Sequence, residues 1–270
     1  MTSLITGGHM AQNDKINDDW EAHWSNFSIS AEENPAQGFR RKIIFRILKS
    51  EKKDCFSLID FGSGQGDLIK DLSKIFHQAQ MVGFELSEKG VSVSKEKAPQ
   101  AVFVQKNILE NDTSKEYINY ADYGICAEVI EHVDDPVEFL INIKRYLKNN
   151  AKLILTVPGG KMSAFDKHIG HRKHFTANEL KHMLDKAGYE ECKVKTFGFP
   201  FFNIYKIISI LRGNKLIDDC RKISKQNRLS ILGRVFIRIF NILFVLNVDV
   251  IPFGWQLVAV ARVKKGNNAL

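Results

Sequence analysis

Short apolar runs alternate along this chain with stretches whose apolar residues recur every three or four positions. The run Leu58 to Phe61 is followed by a glycine-rich turn and then by Leu68, Ile69, Leu72, Ile75 and Phe76 at helical steps. That pattern predicts a buried strand, a tight turn and a helix. Further strands are predicted at residues 80–85, 101–104, 123–127, 151–157, 192–197 and 255–263. Between them, Asp135 and Pro136 supply a cap and a first-turn proline for a helix expected to reach Leu147, closed by Asn149 and Asn150. Thr176 and Glu179 form a T-x-x-E capping box for a helix from Ala177 to Ala187, stopped by Gly188. Strands and helices in this order predict an α/β fold built on a doubly wound, seven-stranded, mostly parallel sheet.

Two regions depart from that rhythm. Residues 11–36 are polar with interspersed Trp20, Trp24 and Phe27, and Asn34-Pro35 separates them from a basic amphipathic helix from Ala36 to Leu48. These segments are expected to form an N-terminal helical lid (11–50) over the sheet. The stretch from Phe199 to Phe253 holds two apolar helical segments, 200–211 and 231–246, joined by a basic run at 212–228. It reads as a helical insertion before the last strand. The expected layout is therefore a tag or disordered start (1–10), the lid, an α/β core (51–198), the insertion (199–253), the last core strand (254–265) and a disordered tail (266–270). Gly7-Gly8-His9-Met10 resembles a cloning remnant and is set aside.

The turn after the first strand reads Asp60-x-Gly62-x-Gly64-x-Gly66. Glycines there let the backbone approach a ligand at a helix start. The dinucleotide pattern G-x-G-x-x-G would need a third glycine where Asp67 stands, and no Lys-Ser or Lys-Thr follows to make a P-loop. Glu85 ends the next strand about twenty residues on, the spacing at which an acid accepts hydrogen bonds from ribose hydroxyls. Asn107 follows the third strand, and Glu128-Val-Ile-Glu131-His132 follows the fourth, leading to Pro136, a helix and an apolar strand ending at Pro158. Gly62, Glu85, Asn107 and Glu128 all fall at carboxyl ends of strands, where open α/β sheets bind ligands.

From Asp60 to Pro158, order and motifs resemble the class I S-adenosylmethionine-dependent methyltransferases, in particular the quinone-biosynthesis O-methyltransferase-like and methyltransferase type 11 or 23-like chains. The resemblance implies a Rossmann-like core with S-adenosylmethionine as cofactor. It implies that Gly62, Gly64 and Gly66 pass under the methionine part and that Asp60 orders its amino group. Glu85 and Leu86 would meet the ribose, and Asn107 and Ile108 the adenine. The family usually has Asp at the Asn107 position, and an amide oxygen can still accept there.

A hydroxyl acceptor must also lose a proton, which histidine suits near neutral pH. His132 and His171 are the candidate catalytic residues. Trp24, His168, Arg172 and His174 are candidate substrate contacts. Glu128, Glu131 and His132 stand at i, i+3 and i+4, so one helical turn would bring them to one face. With His171 they make a candidate Mg²⁺ or Mn²⁺ site, and similar metal-dependent methyltransferases act on quinone precursors and RNA 3′ ends. The alternative is that the E-x-x-E-H turn is structural.

Composition adds limits. The 270 residues are 44% hydrophobic and 26% charged, enough for a sizeable core, and the four cysteines form no C-x-x-C. Reduced thiols and the lack of a long apolar run lead to an expected cytoplasmic location. The net charge of +8 favours anionic partners without choosing among them. Residues 200–250, with Arg234 and Arg238 four apart among apolar neighbours, are expected either to cap the core, to form a homodimer face or to touch the inner membrane surface. The functional expectation is O-methylation of a small-molecule, saccharide or lipid-linked acceptor. A metal-dependent RNA 2′-O-methyltransferase and a non-catalytic S-adenosylmethionine-binding scaffold are the alternatives.

Overall fold

The computed structural model describes residues 19–110, 115–226, 229–249 and 252–264. The expected tag and the expected tail lie outside the described residues. Strand β1 (Ser57–Phe61) is buried at every position and lies at the middle of the parallel part of the sheet. It pairs in parallel with β2 (Gln80–Glu85) and with β4 (Ala121–Ala127). Strand β3 (Val102–Gln105) extends the sheet beyond β2, and β5 (Leu147–Pro158) extends it beyond β4. Strand β7 (Gln256–Val263) runs antiparallel between β5 and β6 (Tyr189–Phe197). The order is β3-β2-β1-β4-β5-β7-β6, so the winding reverses between β1 and β4. A crevice opens beyond the strand ends at such a reversal.

Both faces of the sheet are covered, which is why its central strands read as continuous apolar runs rather than alternating ones. One core layer joins Ile59, Phe61, Leu140, Leu153 and Leu155 to Leu180 and Leu184. These come partly from α5 (Pro136–Lys144) and α7 (Ala177–Lys186). The opposite layer joins Leu58, Ile69 and Ile125 to the inward face of α2 (Pro35–Ser50), formed by Phe39, Ile43, Ile44 and Leu48. Helix α3 (Asp67–Ser73) follows the glycine turn, and α4 (Glu88–Lys97) follows β2.

The N-terminal segment folds as α1 (Trp20–Glu32), started by the Asp19 carboxylate, which accepts the N–H of Ala22 at 2.8 Å. Asn34 caps α2 by accepting the N–H of Ala36 at 2.9 Å, with Pro35 in the first turn. The expected break is thus the hinge between two helices. Asp135 and the Thr176–Glu179 box cap α5 and α7 as the spacing predicts.

Three expectations are corrected. The helix from Pro136 ends at Lys144, and Leu147 belongs to β5, which carries Asn150 at a φ of +64° and a register shift opposite Ala121/Tyr123. An apolar Leu at the end of a helical stripe satisfies a strand pattern equally well, so the boundary was ambiguous. The basic run inside the insertion is not a linker. Between α8 (Phe201–Arg212) and α10 (Ile231–Leu243) it forms helix α9 (Asn214–Gln226), which turns Ile217 and Cys220 inward and packs on α1 and on the short helix α6 (Ala164–His168). Finally, Glu128 does not share a helical turn with Glu131 and His132. Its φ is +59°, and only Ile130–His132 forms a 3₁₀ turn.

Candidate active site

The glycine turn sits in the crevice with all three glycines at positive φ: +77° at Gly62, +55° at Gly64 and +79° at Gly66. L residues avoid that conformation. A side chain on Gly62 would start 2.5 Å from Val129, and one on Gly64 would start 2.7 Å from the indole of Trp24. The turn therefore offers bare backbone to whatever lies above it. Asp60 is buried beneath, and its carboxyl is pushed up to about 7, chiefly by burial and then by the charge of Glu85. Glu85 is also buried, which raises its carboxyl, while backbone N–H groups counteract the shift. It accepts from Gly64 N–H at 2.8 Å and from Ser87 N–H at 3.0 Å, tying β2 to the glycine turn.

Leu86 is exposed and Ile108 buried at the mouth of the crevice, and both line one cavity with Asp60, Gly62 and Gly64. Asn107 lines it too, but its amide is used locally. Its oxygen accepts from Leu109 N–H at 3.0 Å, and its nitrogen donates to Glu110 at 3.0 Å. Asn107 is therefore held as a turn former at the end of β3, with its amide oxygen already accepting one bond.

Helix α1 roofs this end. It is fastened to the motif itself: Ser28 Oγ donates to Gln65 Oε1 at 2.6 Å, and Gln65 Nε2 donates to the Ser28 carbonyl at 2.9 Å. Its other end is fastened to α4, where Glu21 accepts the N–H groups of Glu88 and Lys89 at the helix start. Trp24 thus belongs to the cofactor end, over Gly64, rather than to the acceptor end. Its indole nitrogen is buried close to the Glu85 carboxylate without completing a hydrogen bond of good geometry.

Beyond the lid lies a cluster of ionisable side chains. The ligating atoms of Glu131, His132 and His171 all lie within 4.8 Å of one another. A second group, Asp166, His171 and His174, shares His171. Glu131 has no exposed surface, and neither of its carboxylate oxygens nor Nδ1 of His132 has a hydrogen-bond partner. Burial, and then the charge of Glu128, hold the Glu131 carboxyl well above its ordinary range. Burial also pushes His132 down to about 3 and His171 down to about 2, so both imidazoles are neutral and keep a lone pair. Asp166 behaves oppositely: burial raises it, but Lys206, at 3.0 Å, Ser163 and His171 together bring it down to about 2.

The remaining expected residues are placed as follows. Glu128 does not join the cluster. Its carboxylate pairs with Arg40 of α2 at 3.2 Å and accepts from Thr156 and Gln256 at 3.1 and 2.9 Å. Arg172 lines the cavity but holds the loop together, donating to Asp134 and to the His132 carbonyl. His174 lies 3.1 Å from His171 and 3.2 Å from the Gly160 carbonyl. His168 is exposed, near Arg221 and Phe27, and stands apart from the cluster.

Sequence reasoning missed Asp166, Gln65, Arg40 and Lys206. For Asp166 a signal existed, because Ser163-x-x-Asp166 is a capping box that starts α6. Gln65 lies inside the glycine motif, whose pattern marks only its glycines, and Arg40 and Lys206 come from distant segments with no local mark.

Asp60, Glu85, Glu128, His132, Asp166, His171 and Arg172 line one cavity of about 770 Å³, whereas Glu131, His168 and His174 are not part of its lining. The strand ends and the lid form one end, His132, Asp166 and His171 the middle, and Ile208, Leu216, Ile223, Phe236 and Ile237 of the insertion the far end. Cationic groups of Arg40, Lys206 and Arg212 line the wall between.

A family model described as a methyltransferase domain matches residues 32–193. Among curated proteins, the ubiquinone biosynthesis O-methyltransferase of Rickettsia felis is 27% identical over 158 residues, covering 57% of this chain and 62% of that protein. The protein of the same name from Rickettsia conorii is 33% identical over 69 residues, covering 26% of this chain and 22% of that one. The chain thus spans less than two thirds of the curated relatives it matches. Among solved structures, a complex of the Haloferax volcanii Trm112 methyltransferase activator with a methyltransferase gives a TM-score of 0.60 at 12% identity, covering 93% of this chain and 100% of that one. Phosphoethanolamine N-methyltransferase 2 of Haemonchus contortus, in complex with S-adenosyl-L-methionine, gives 0.51 at 17% identity, covering 78% and 49%. The match over more than half the chain, the sheet order and the bare glycine cradle agree, and the chain belongs to the class I methyltransferase family, enzymes that take S-adenosylmethionine as cofactor.

Proposed function

We propose that this protein transfers the methyl group of S-adenosylmethionine to a hydroxyl oxygen of an acceptor that carries an apolar portion. The observation that carries the hydroxyl part is the Glu131–His132–His171 cluster, in which three polar atoms are buried and unpartnered and whose two imidazoles line the cavity. Buried polar groups are normally satisfied, so such a cluster points to a ligand. The apolar lining of the far end supports an acceptor with an apolar portion. The names of the Rickettsia relatives are consistent with an oxygen acceptor.

Methyl transfer is an in-line displacement at a sulfonium that is already activated, so the protein chiefly positions the acceptor and excludes water. Asp60 and Glu85 hold the cofactor, and Trp24 packs over it. The acceptor hydroxyl lies at His132 and His171, whose neutral imidazoles accept its hydrogen bond; with burial holding them at about 3 and about 2, they are weak bases. One carboxylate with two neutral imidazoles also fits a divalent cation, and this mixed nitrogen and oxygen set suits Mn²⁺ better than Mg²⁺. Such an ion, when bound, lowers the pKa of a coordinated hydroxyl. The second group fits less well, because Lys206 and Ser163 already hold Asp166.

The test is Mn²⁺ binding followed by electron paramagnetic resonance, alongside methylation of a metabolite and lipid extract with labelled S-adenosylmethionine. Wild type should retain one Mn²⁺ per chain, and Glu131→Gln should not. Label should enter an oxygen ether that partitions into organic solvent. Undiminished activity in EDTA with no Mn²⁺ retained would leave proton transfer to the histidines alone. Label found on nitrogen would overturn the hydroxyl reading.

A further inference from the structure

Helix α10 is apolar on both sides, and only one side is covered. Its inner side carries Phe236 and Phe240, which with Phe244 just beyond stack on Tyr205 of α8, at ring separations of 6.1, 5.3 and 5.8 Å. Phe244 also meets Phe39 of α2 and Phe202 of α8. The helix is therefore anchored to the body of the protein through an aromatic layer. Its outer side presents Ile231, Leu232, Val235, Ile239 and Ile242, of which Leu232 is 82% and Ile242 68% exposed. Val245 and Leu246 continue the stripe. Scattered surface Leu or Ile residues are ordinary, but a continuous stripe of this length marks a contact surface.

Charge selects the partner. Arg234 and Arg238 are exposed at the margin of the stripe, and neither has an ion-pair partner among the described residues. No Asp or Glu occurs from Cys220 to Val248, whereas Arg221, Lys222, Lys225, Arg228, Arg234 and Arg238 fall in that span. A second copy laid on this face would bring like charges together in an apolar seam without an acidic partner. An anionic bilayer supplies both what the stripe and what the arginines lack: apolar depth and phosphate headgroups. The helix, 13 residues long, measures about 20 Å, too short to cross a hydrocarbon core. No helix among the described residues is long and apolar enough to cross a membrane.

We infer that the outer face of α10, with Val245 and Leu246, lies in the interface of an anionic membrane, with Arg234 and Arg238 at the headgroups. On its inner side, Gly233, Phe236 and Ile237 line the far end of the cavity. Membrane contact thus brings the apolar end of the cavity to the bilayer. The inference does not depend on the acceptor being a hydroxyl, and vesicle binding can fail or succeed independently of methylation.

The experiment is sedimentation of the full chain with vesicles of phosphatidylcholine alone, or of phosphatidylcholine mixed equally with phosphatidylglycerol. S-adenosylmethionine affinity serves as the folding control for each variant. The wild type should partition onto the mixed vesicles, less so as salt is raised, and weakly onto phosphatidylcholine. Arg234→Gln/Arg238→Gln should lower partitioning onto mixed vesicles by about tenfold or more. Leu232→Gln/Ile242→Gln should lower partitioning onto both kinds. Equal partitioning of wild type and variants would overturn the inference. So would absence of vesicle binding together with a dimer, seen by sedimentation equilibrium, that Leu232→Gln/Ile242→Gln dissociates.

Discussion

The indole of Trp24 lies over Gly64, 2.7 Å from the point where a side chain on that glycine would begin. The lid and the cofactor motif are therefore in contact at the middle glycine of the motif. Gly64→Ala meets two costs, a left-handed φ of +55° and collision with the ring, together about 1–3 kcal/mol. In a Trp24→Ala background the collision is gone. Denaturant unfolding of the four-member cycle should show a smaller cost of Gly64→Ala in that background. An equal cost in both would mean that the ring does not lie over the glycine. S-adenosylmethionine should also change the fluorescence of Trp24, measured in a variant with Trp20 and Trp255 replaced by Phe.

Gln65 is a residue of the glycine motif, yet its amide holds the lid through both hydrogen bonds to Ser28. Gln65→Ala leaves the Ser28 groups unpaired, costing about 1–3 kcal/mol in the lid's attachment. Stopped-flow fluorescence should show faster dissociation of S-adenosylmethionine with little change in association, because opening limits release. Unchanged dissociation would show that the clasp does not hold the cofactor in.

Asp60 carries the clearest pH dependence. Burial, then Glu85, raise its carboxyl from 3.8 to about 7. The folded chain thus binds a proton that the unfolded chain has released between those values. Its contribution to stability is full below about 4, falls as pH rises towards 7, and is flat above. The cationic cofactor favours the ionised carboxylate and lowers this pKa again. Calorimetry in buffers of different ionisation enthalpy should therefore detect proton release on binding between pH 6 and about 7. Asp60→Asn should bind more weakly and release no proton from this site. Identical proton release in Asp60→Asn would place the titrating group elsewhere.

Glu128 and Glu131 lie three residues apart and should respond in opposite ways. The pair of Glu128 with Arg40 is nearly buried, with 12% and 11% of the side chains exposed. Glu128→Gln leaves Arg40 without its counter-charge and should cost up to about 3 kcal/mol while keeping Mn²⁺ affinity. Burial disfavours the charged form of Glu131, so Glu131→Gln should cost less than about 1 kcal/mol and abolish Mn²⁺ binding. Chemical denaturation and metal titration on the two variants decide the matter. The reverse pattern would make Glu128 the ligand.

The cofactor half of the site was legible because its signals are local. Three glycines at alternate positions, an acid at the end of the next strand and short apolar runs each act within a few residues, and the sheet then brings the strand ends together. The acceptor half depends on packing between distant segments. Nothing around Arg40 announces that it reaches Glu128, and nothing around Lys206 announces Asp166. The basic run of the insertion carries so many charges that its apolar positions stand out little. Its Leu216, Ile217, Cys220 and Ile223 in fact follow helical spacing, and they close α9 over α1. Glu128 was misplaced for a different reason. The i, i+3, i+4 spacing is suggestive only where the backbone is helical, and at Glu128 it turns to positive φ.

The central claim is that the crevice beyond β1, β2 and β4 is an S-adenosylmethionine site held by Asp60, the glycine turn and Glu85. Isothermal titration of the full chain with S-adenosylmethionine and, separately, with NAD tests it most directly. The account predicts one saturable site for S-adenosylmethionine, weakened by at least about tenfold in Asp60→Asn and Glu85→Ala, and no heat from NAD. Binding of NAD without S-adenosylmethionine, or S-adenosylmethionine affinity unchanged in both variants, would contradict it.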